Sequence, residues 1–308
     1  MDYIELHIKG NRKYARPVFW PHKFFAAADR EDISRERIVG LDGAAAQFWE
    51  SIKDSEFMTN HPFLPRAHWN KIIPLGMHGD GGAFNAQDSL YVLSWNSLVG
   101  SGSTLQSKFL FSIVRKQDMV ADTLDTLTKA LSWSFNVLLS GQTPHATWQG
   151  HALDRGGEDL ARGYRAALCQ IRGDWEFDTS LFYFRQWNTD EMCPFCLASA
   201  TNAAHAWSDF SLGAWWRGTV WANHEDYAAY LHATGRALPV MFRPGCGVIG
   251  LRLSNVMVDV LHTIDQGVAS HIIANTIWYY AILVAVFGGA TYAERMQRCY
   301  NDLKKMVF

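Results

Sequence analysis

The chain has 308 residues, of which 48% are apolar and 19% charged. That composition excludes a disordered chain, which could not bury enough apolar surface to offset its ordering entropy, and it leaves room for one large core or two modest ones. Lys and Arg number 28 against 30 acids, so no global basic excess steers the protein onto nucleic acid. Any such contact rests on a local patch, for which Lys9, Arg12, Lys13 and Arg16 are the candidates.

The five cysteines are an odd number, and Met1 to Lys9 alternates charged and apolar residues instead of forming a secretory signal. A reduced, intracellular protein is the expectation. The run Val268 to Gly289 nears the length of a membrane span, but His271 and Asn275 interrupt it and no Lys or Arg flanks it closely, so no membrane partner is expected.

In chain order, residues 1–70 read as an N-terminal appendage. It has a strand at Tyr3 to Ile8, a Pro- and aromatic-rich turn at Arg16 to Phe25, and a helix from Gly43 to Ile52 behind Asp42 as N-cap. The core begins near Lys71. Lys71 to His78 is a first strand with Gly79-Asp-Gly-Gly82 as its turn, Ser89 to Leu98 a second, and Lys108 to Lys116 a third. Short connections between the three predict an antiparallel meander. Apolar residues at Val120, Leu124, Leu127, Leu131, Phe135 and Leu138 then predict a long amphipathic helix, capped by Asp118 and stopped by Gly141. A short helix ending at Tyr164 leads to a fourth strand, Arg165 to Arg172. Asp178 to Trp187 fits helix and strand equally. A core over 71–187, a Cys- and Trp-rich insertion over 188–250 with a helix near His224 to Thr234, and C-terminal helices over 251–308 complete the expected organisation.

Two aspartates stand out, each closing an apolar strand: Asp80 in Met77-His-Gly-Asp-Gly-Gly82 and Asp174 in Ile171-Arg-Gly-Asp-Trp175. Taken singly, each is most simply a turn residue. The intervening order of strand, strand, helix and strand is that of a ribonuclease H-like α/β mixed sheet, whose edge would bring both carboxylates together. Paired carboxylates suit Mg²⁺ or Mn²⁺, hard cations that favour oxygen ligands and serve phosphoryl transfer. Cys193-Pro-Phe-Cys196 has the spacing of half a zinc site, with His205, His224 and Cys246 as candidates to complete it; two ordinary buried cysteines explain the pair equally well. Asp259-Val-Leu-His262 puts two polar side chains three residues apart on one helix face, where a structural hydrogen bond is the simplest role.

Taken together, these four motifs, spread over roughly Lys71 to Trp278, resemble the eukaryotic cut-and-paste DNA transposases of the CACTA (En/Spm) type and their derivatives. The resemblance implies a ribonuclease H-like core with Asp80 and Asp174 as the first two catalytic acids. It further implies an insertion containing Cys193 and Cys196, an Asp-x-x-His signature matched by Asp259 and His262, a DNA partner and a nuclear location. The family places its third acid well beyond that signature, whereas this chain ends 46 residues after His262 with Glu294 as the nearby candidate. The expectation is a transposase-like protein that is truncated or inactive, with a non-catalytic structural or nucleic-acid-interacting module as the alternative.

Overall fold

The computed structural model describes residues 2–10, 12–30, 35–85, 87–186, 188–191, 193–209, 211–218, 220, 221, 223–257, 276, 279 and 288–307. The chain divides into two compact units, Met1–Met257 and Val258–Phe308.

In the first unit β1 (Asp2–Ile8) and β2 (Arg12–Val18) form an antiparallel hairpin, followed by α1 (Pro21–Arg30). The Arg16 to Phe25 segment, expected as a turn, is therefore the end of a strand and the start of a helix. Pro21 at the first helical position supplies the fixed φ a helix needs there and lacks an N–H that would have no partner anyway. The short α2 (Arg35–Ile38) precedes α3 (Ala44–Ser51), whose N-cap is Gly43 with no side-chain cap bond, and not Asp42 as expected. α4 (Glu56–Asn60) follows.

The central sheet is mixed. β3 (Ile72–Asn85), β4 (Asp88–Ser97) and β5 (Phe109–Arg115) make the antiparallel meander; β6 (Arg165–Gly173) and the two-residue β7 (Val256–Met257) add in parallel, for the order β5-β4-β3-β6-β7. The short α5 (Thr104–Ser107) lies between β4 and β5. α6 (Thr123–Ser140) carries the chain from β5 to β6, as parallel strands require a crossover. Its first turn begins later than expected, because Lys116–Asp118 forms a 3₁₀ turn and Asp122 occupies the N-cap position. Gly141 ends it in the left-handed conformation, φ 69°. Turns and isolated bridges, not the expected short helix, lead up to Tyr164.

The largest difference from expectation lies in β3. Gly79 to Gly82 is not a turn: the strand runs on to Asn85, with Asp80 opposite Val92 on β4. Asp80 therefore sits within the ladder.

One core gathers Ile4, Leu6, Val18 and Trp20 of the N-terminal region with Leu75, Met77, Leu93 and Phe111 of the sheet and Leu127, Leu131 and Phe135 of α6. The first 70 residues thus belong to the core instead of forming an appendage. The 188–250 region joins the same core through α8 (His224–Ala233), whose buried Tyr227 donates its hydroxyl proton to the Phe182 carbonyl. A smaller cluster packs Trp49, Phe57, Leu64 and Trp69 against Ile72, Ala167 and Cys169, and the Trp49 indole N–H donates to the Ile72 carbonyl at 2.6 Å. In the second unit, α9 (Tyr292–Val307) coincides with the helix expected from Thr291 to Val307.

Candidate functional site

β3 and β6 run parallel with Gly79 opposite Gly173, so the next residues along the two strands are Asp80 and Asp174. Neither glycine is a turn residue. A Cβ on Gly79 would stand 1.7 Å from the Phe177 ring and one on Gly173 2.2 Å from it. The missing side chains make the hollow that Phe177 fills, and Phe177 in turn stacks on Tyr91 with centroids 5.9 Å apart. Phe177 belongs to α7 (Trp175–Phe182), the helix that starts at Asp174. The segment Asp178 to Trp187, compatible with either structure in the sequence, thus continues a helix as far as Phe182.

Asp174 is the N-cap of α7 and accepts a 2.7 Å hydrogen bond from the Phe177 amide, satisfying one of the donors a helix start leaves open. The first turns also carry Glu176 and Asp178, the latter buried. Tyr91 lies beneath. Its hydroxyl is buried without a hydrogen-bond partner, and burial, reinforced by Asp174, Glu176, Asp178 and Asp80, raises its pKa well above the usual phenol range. Four carboxylates from β3 and α7 thus bear on one neutral phenol. Lys116 at the end of β5 answers part of this charge, bonding Glu176 at 2.7 Å with its ammonium 5.9 Å from the Tyr91 ring centre. The result is a half-buried acidic end of the sheet with more negative than positive charge.

Tyr91, Lys116, Glu176 and Asp178 did not emerge from the sequence. The signal for two of them was present in Asp174-Trp-Glu-Phe-Asp178, where acids recur at every second position just after a strand.

The remaining candidates lie elsewhere. Cys193 Sγ accepts hydrogen bonds from the Phe195 amide at 3.4 Å and the Cys196 amide at 3.2 Å. Those contacts fold the Cys-x-x-Cys turn around its first sulfur. Burial, and then Cys193, push the Cys196 thiol up to about 11. His205 has a buried Nδ1 without a hydrogen-bond partner, which makes it suitable as a ligand in principle. Cys246 sits in the turn after Phe242 with its thiol 4.0 Å from the Arg243 carbonyl, and the His224 Nδ1 accepts from the Leu253 amide at 3.1 Å. Among the described residues no three His, Cys, Asp or Glu side chains come together as a metal-holding group. Cys193, Cys196, His205 and Cys246 are therefore not gathered into one cluster, nor is a third carboxylate joined to Asp80 and Asp174 in that way.

In the second unit, Glu294 closes the start of α9: its carboxylate accepts from the Ala290 amide at 2.8 Å while its own amide donates to Thr291 Oγ1 at 3.3 Å. Asp259, His262 and most of Val268 to Gly289 lie outside the described residues. No helix among the described residues is long and apolar enough to cross a membrane. In the basic patch, Lys13 is paired with Glu5 at 2.7 Å, the Arg16 guanidinium lies 4.6 Å from the Tyr14 ring centre and Arg12 Nε donates to the Lys9 carbonyl at 3.4 Å, so three of its four cations are already engaged on the hairpin. No protein-family model matches this chain, and no curated protein does either.

Proposed function

We propose that this is a transposase-derived protein with a ribonuclease H-like core, whose acidic sheet end serves metal-dependent phosphoryl transfer on DNA. The observation that carries the reading is the parallel pairing of β3 and β6, which makes Asp80 and Asp174 successors of a paired Gly79 and Gly173. The sheet order β5-β4-β3-β6-β7, with β4 alone reversed between β3 and β5 and α6 crossing to β6, agrees with such a core. The donor chemistry agrees too, since carboxylate oxygens suit Mg²⁺ or Mn²⁺.

Asp80 and Asp174 are the residues that would hold the cation, and its chemistry there would be to polarise a phosphoryl oxygen and ease deprotonation of the attacking hydroxyl. Lys116 restrains Glu176, while Tyr91, held neutral by burial and the surrounding acids, presents a protonated hydroxyl beneath them. Phe177 closes the hollow over Gly79 and Gly173 and so fixes α7, and with it Asp174, against β3.

One observation favours a second reading, a non-catalytic module that keeps the fold: the Asp174 carboxylate is already employed as a helix cap. The test is DNA nicking in the presence of Mg²⁺ or Mn²⁺ by the wild type and by Asp80→Asn and Asp174→Asn, alongside their unfolding midpoints. Asn caps a helix as well as Asp. A catalytic pair predicts at least a hundredfold loss of nicking with unchanged stability. Nicking that survives both substitutions together rejects the assignment.

A further inference from the structure

A second cavity, of about 540 Å³, lies between the start of β1, α1, the second half of α6 and the excursion between α6 and β6. It is separate from the acidic sheet end. Lys116, which touches that end, lies just before α6, whereas Trp133 in the cavity wall is ten residues into the helix, about 15 Å along its axis.

Its walls are aromatic. Trp133 meets Trp20 edge-on at 5.2 Å and His22 at 4.9 Å with rings perpendicular, and Trp148 lies on the opposite, excursion side. His22 is fixed twice to Ser134 Oγ, through its amide at 3.3 Å and its Nδ1 at 2.8 Å. Ser134 Oγ accepts the His22 amide and shares one proton with Nδ1, so the ring is held at that edge whichever tautomer it adopts. Burial, the main cause, lowers the His22 pKa to about 4, in keeping with a neutral ring.

The charged residues lining the cavity decide what sign of ligand fits. Lys23, Arg30 and Arg155 face Asp2, and Asp2 is already paired with Lys23 at 2.8 Å. Arg155 makes no ion pair among the described residues. Aromatic walls alone would also suit a quaternary ammonium ion, but a surplus of cations repels one. Indole faces stack with flat rings, and guanidinium groups grip phosphate and carboxylate through paired N–H donors.

We infer that this cavity binds a small aromatic anion, a flat ring bearing a phosphate or carboxylate group. The ring lies against Trp133 and Trp148, the anion faces Arg155, and the His22 ring adds a further polar edge to the wall. A volume of 540 Å³ is within the range of cavities that enclose such molecules. The site stands whether or not the acidic sheet end cuts DNA.

Calorimetric titration of the full chain tests it, with 5′-AMP and phenylacetate as ring-plus-anion probes and adenosine, inorganic phosphate and tetramethylammonium as controls. At least one ring-plus-anion probe is expected to bind tenfold or more tightly than any control, and preference for AMP or phenylacetate identifies the anionic group. Arg155→Ala, a change at the cavity rim, is expected to weaken that probe at least tenfold, with Arg155→Lys restoring part of the loss; Trp133→Leu is expected to weaken the ring contribution. Equal binding of probes and controls, tighter binding of tetramethylammonium, or unchanged affinity in Arg155→Ala would overturn the inference.

Discussion

Single residues in this protein repeatedly answer to burial more than to their chemical type. Burial lowers the pKa values of His22 and His61 to about 4, from the ordinary imidazole value of about 6.5. The unfolded chain therefore binds more protons than the folded one between about pH 4 and 6.5, so stability is full above that window and declines as pH falls through it. His22, the more deeply buried of the two, contributes at most about 1.4 kcal/mol per pH unit inside the window. The melting temperature is expected to drop between pH 7 and pH 5, and to drop less steeply in His22→Asn. A parallel fall in both proteins would assign the effect to other groups.

The elements show which features the sequence made legible and which it hid. Alternation in β4 and β5 and the three-and-four spacing of α6 reflect burial on one side, so those elements were readable to within a few residues. The hairpin strand β2 was not, because Arg12, Lys13, Arg16 and Pro17 show no apolar alternation; its partner β1 supplies Ile4, Leu6 and Ile8 to the interior, whereas β2 buries Val18 at its end. Gly79 to Gly82 misled for another reason. Glycine density ordinarily marks a turn, but here Gly79 answers Phe177 and Gly81 answers Lys116, side chains distant in sequence that no local pattern reveals, while Gly82 faces open space. That β3 and β6 lie side by side in one sheet was legible from strand order alone, whereas Asp174's duty as a helix cap and the presence of Tyr91 depended on where α7 packs. Gly79→Ala is expected to cost about 1–3 kcal/mol by overpacking, read as a lower urea midpoint. Adding Phe177→Leu should make the two changes less than additive, since they share one contact. Full additivity would mean that the ring does not set the requirement for glycine.

At the scale of the whole molecule, the near balance of 28 basic and 30 acidic residues conceals separate regions of opposite character. One end of the sheet collects acids around Tyr91, while the cavity beside Trp133 is lined with more cations than anions. Total charge therefore says little about what either region attracts. The 257-residue first unit is held by a large core that draws on the N-terminal hairpin, the sheet, α6 and α8, with a smaller cluster around Trp49, and both cross the boundary read from the sequence at residue 70 while the large one also crosses that at 187.

Cys169 lies where β6 shifts register against β3, fully enclosed, its thiol donating to the Leu75 carbonyl at 3.6 Å and pushed up in pKa by burial. It packs under α3 and α4 against Trp49 and Phe57, so a thiol reagent reaches it only when that packing or the sheet itself opens. Cys193, Cys196 and Cys246 are only half-buried and remain open to attack in the folded chain. Cys169 is thus a built-in clock: in a Cys193→Ser, Cys196→Ser, Cys246→Ser, Cys299→Ser background, which leaves it as the one thiol, its labelling rate should follow the opening of the packing around the sheet centre and rise with urea in step with the loss of native structure. Rapid labelling without denaturant would mean that this packing opens in the native protein.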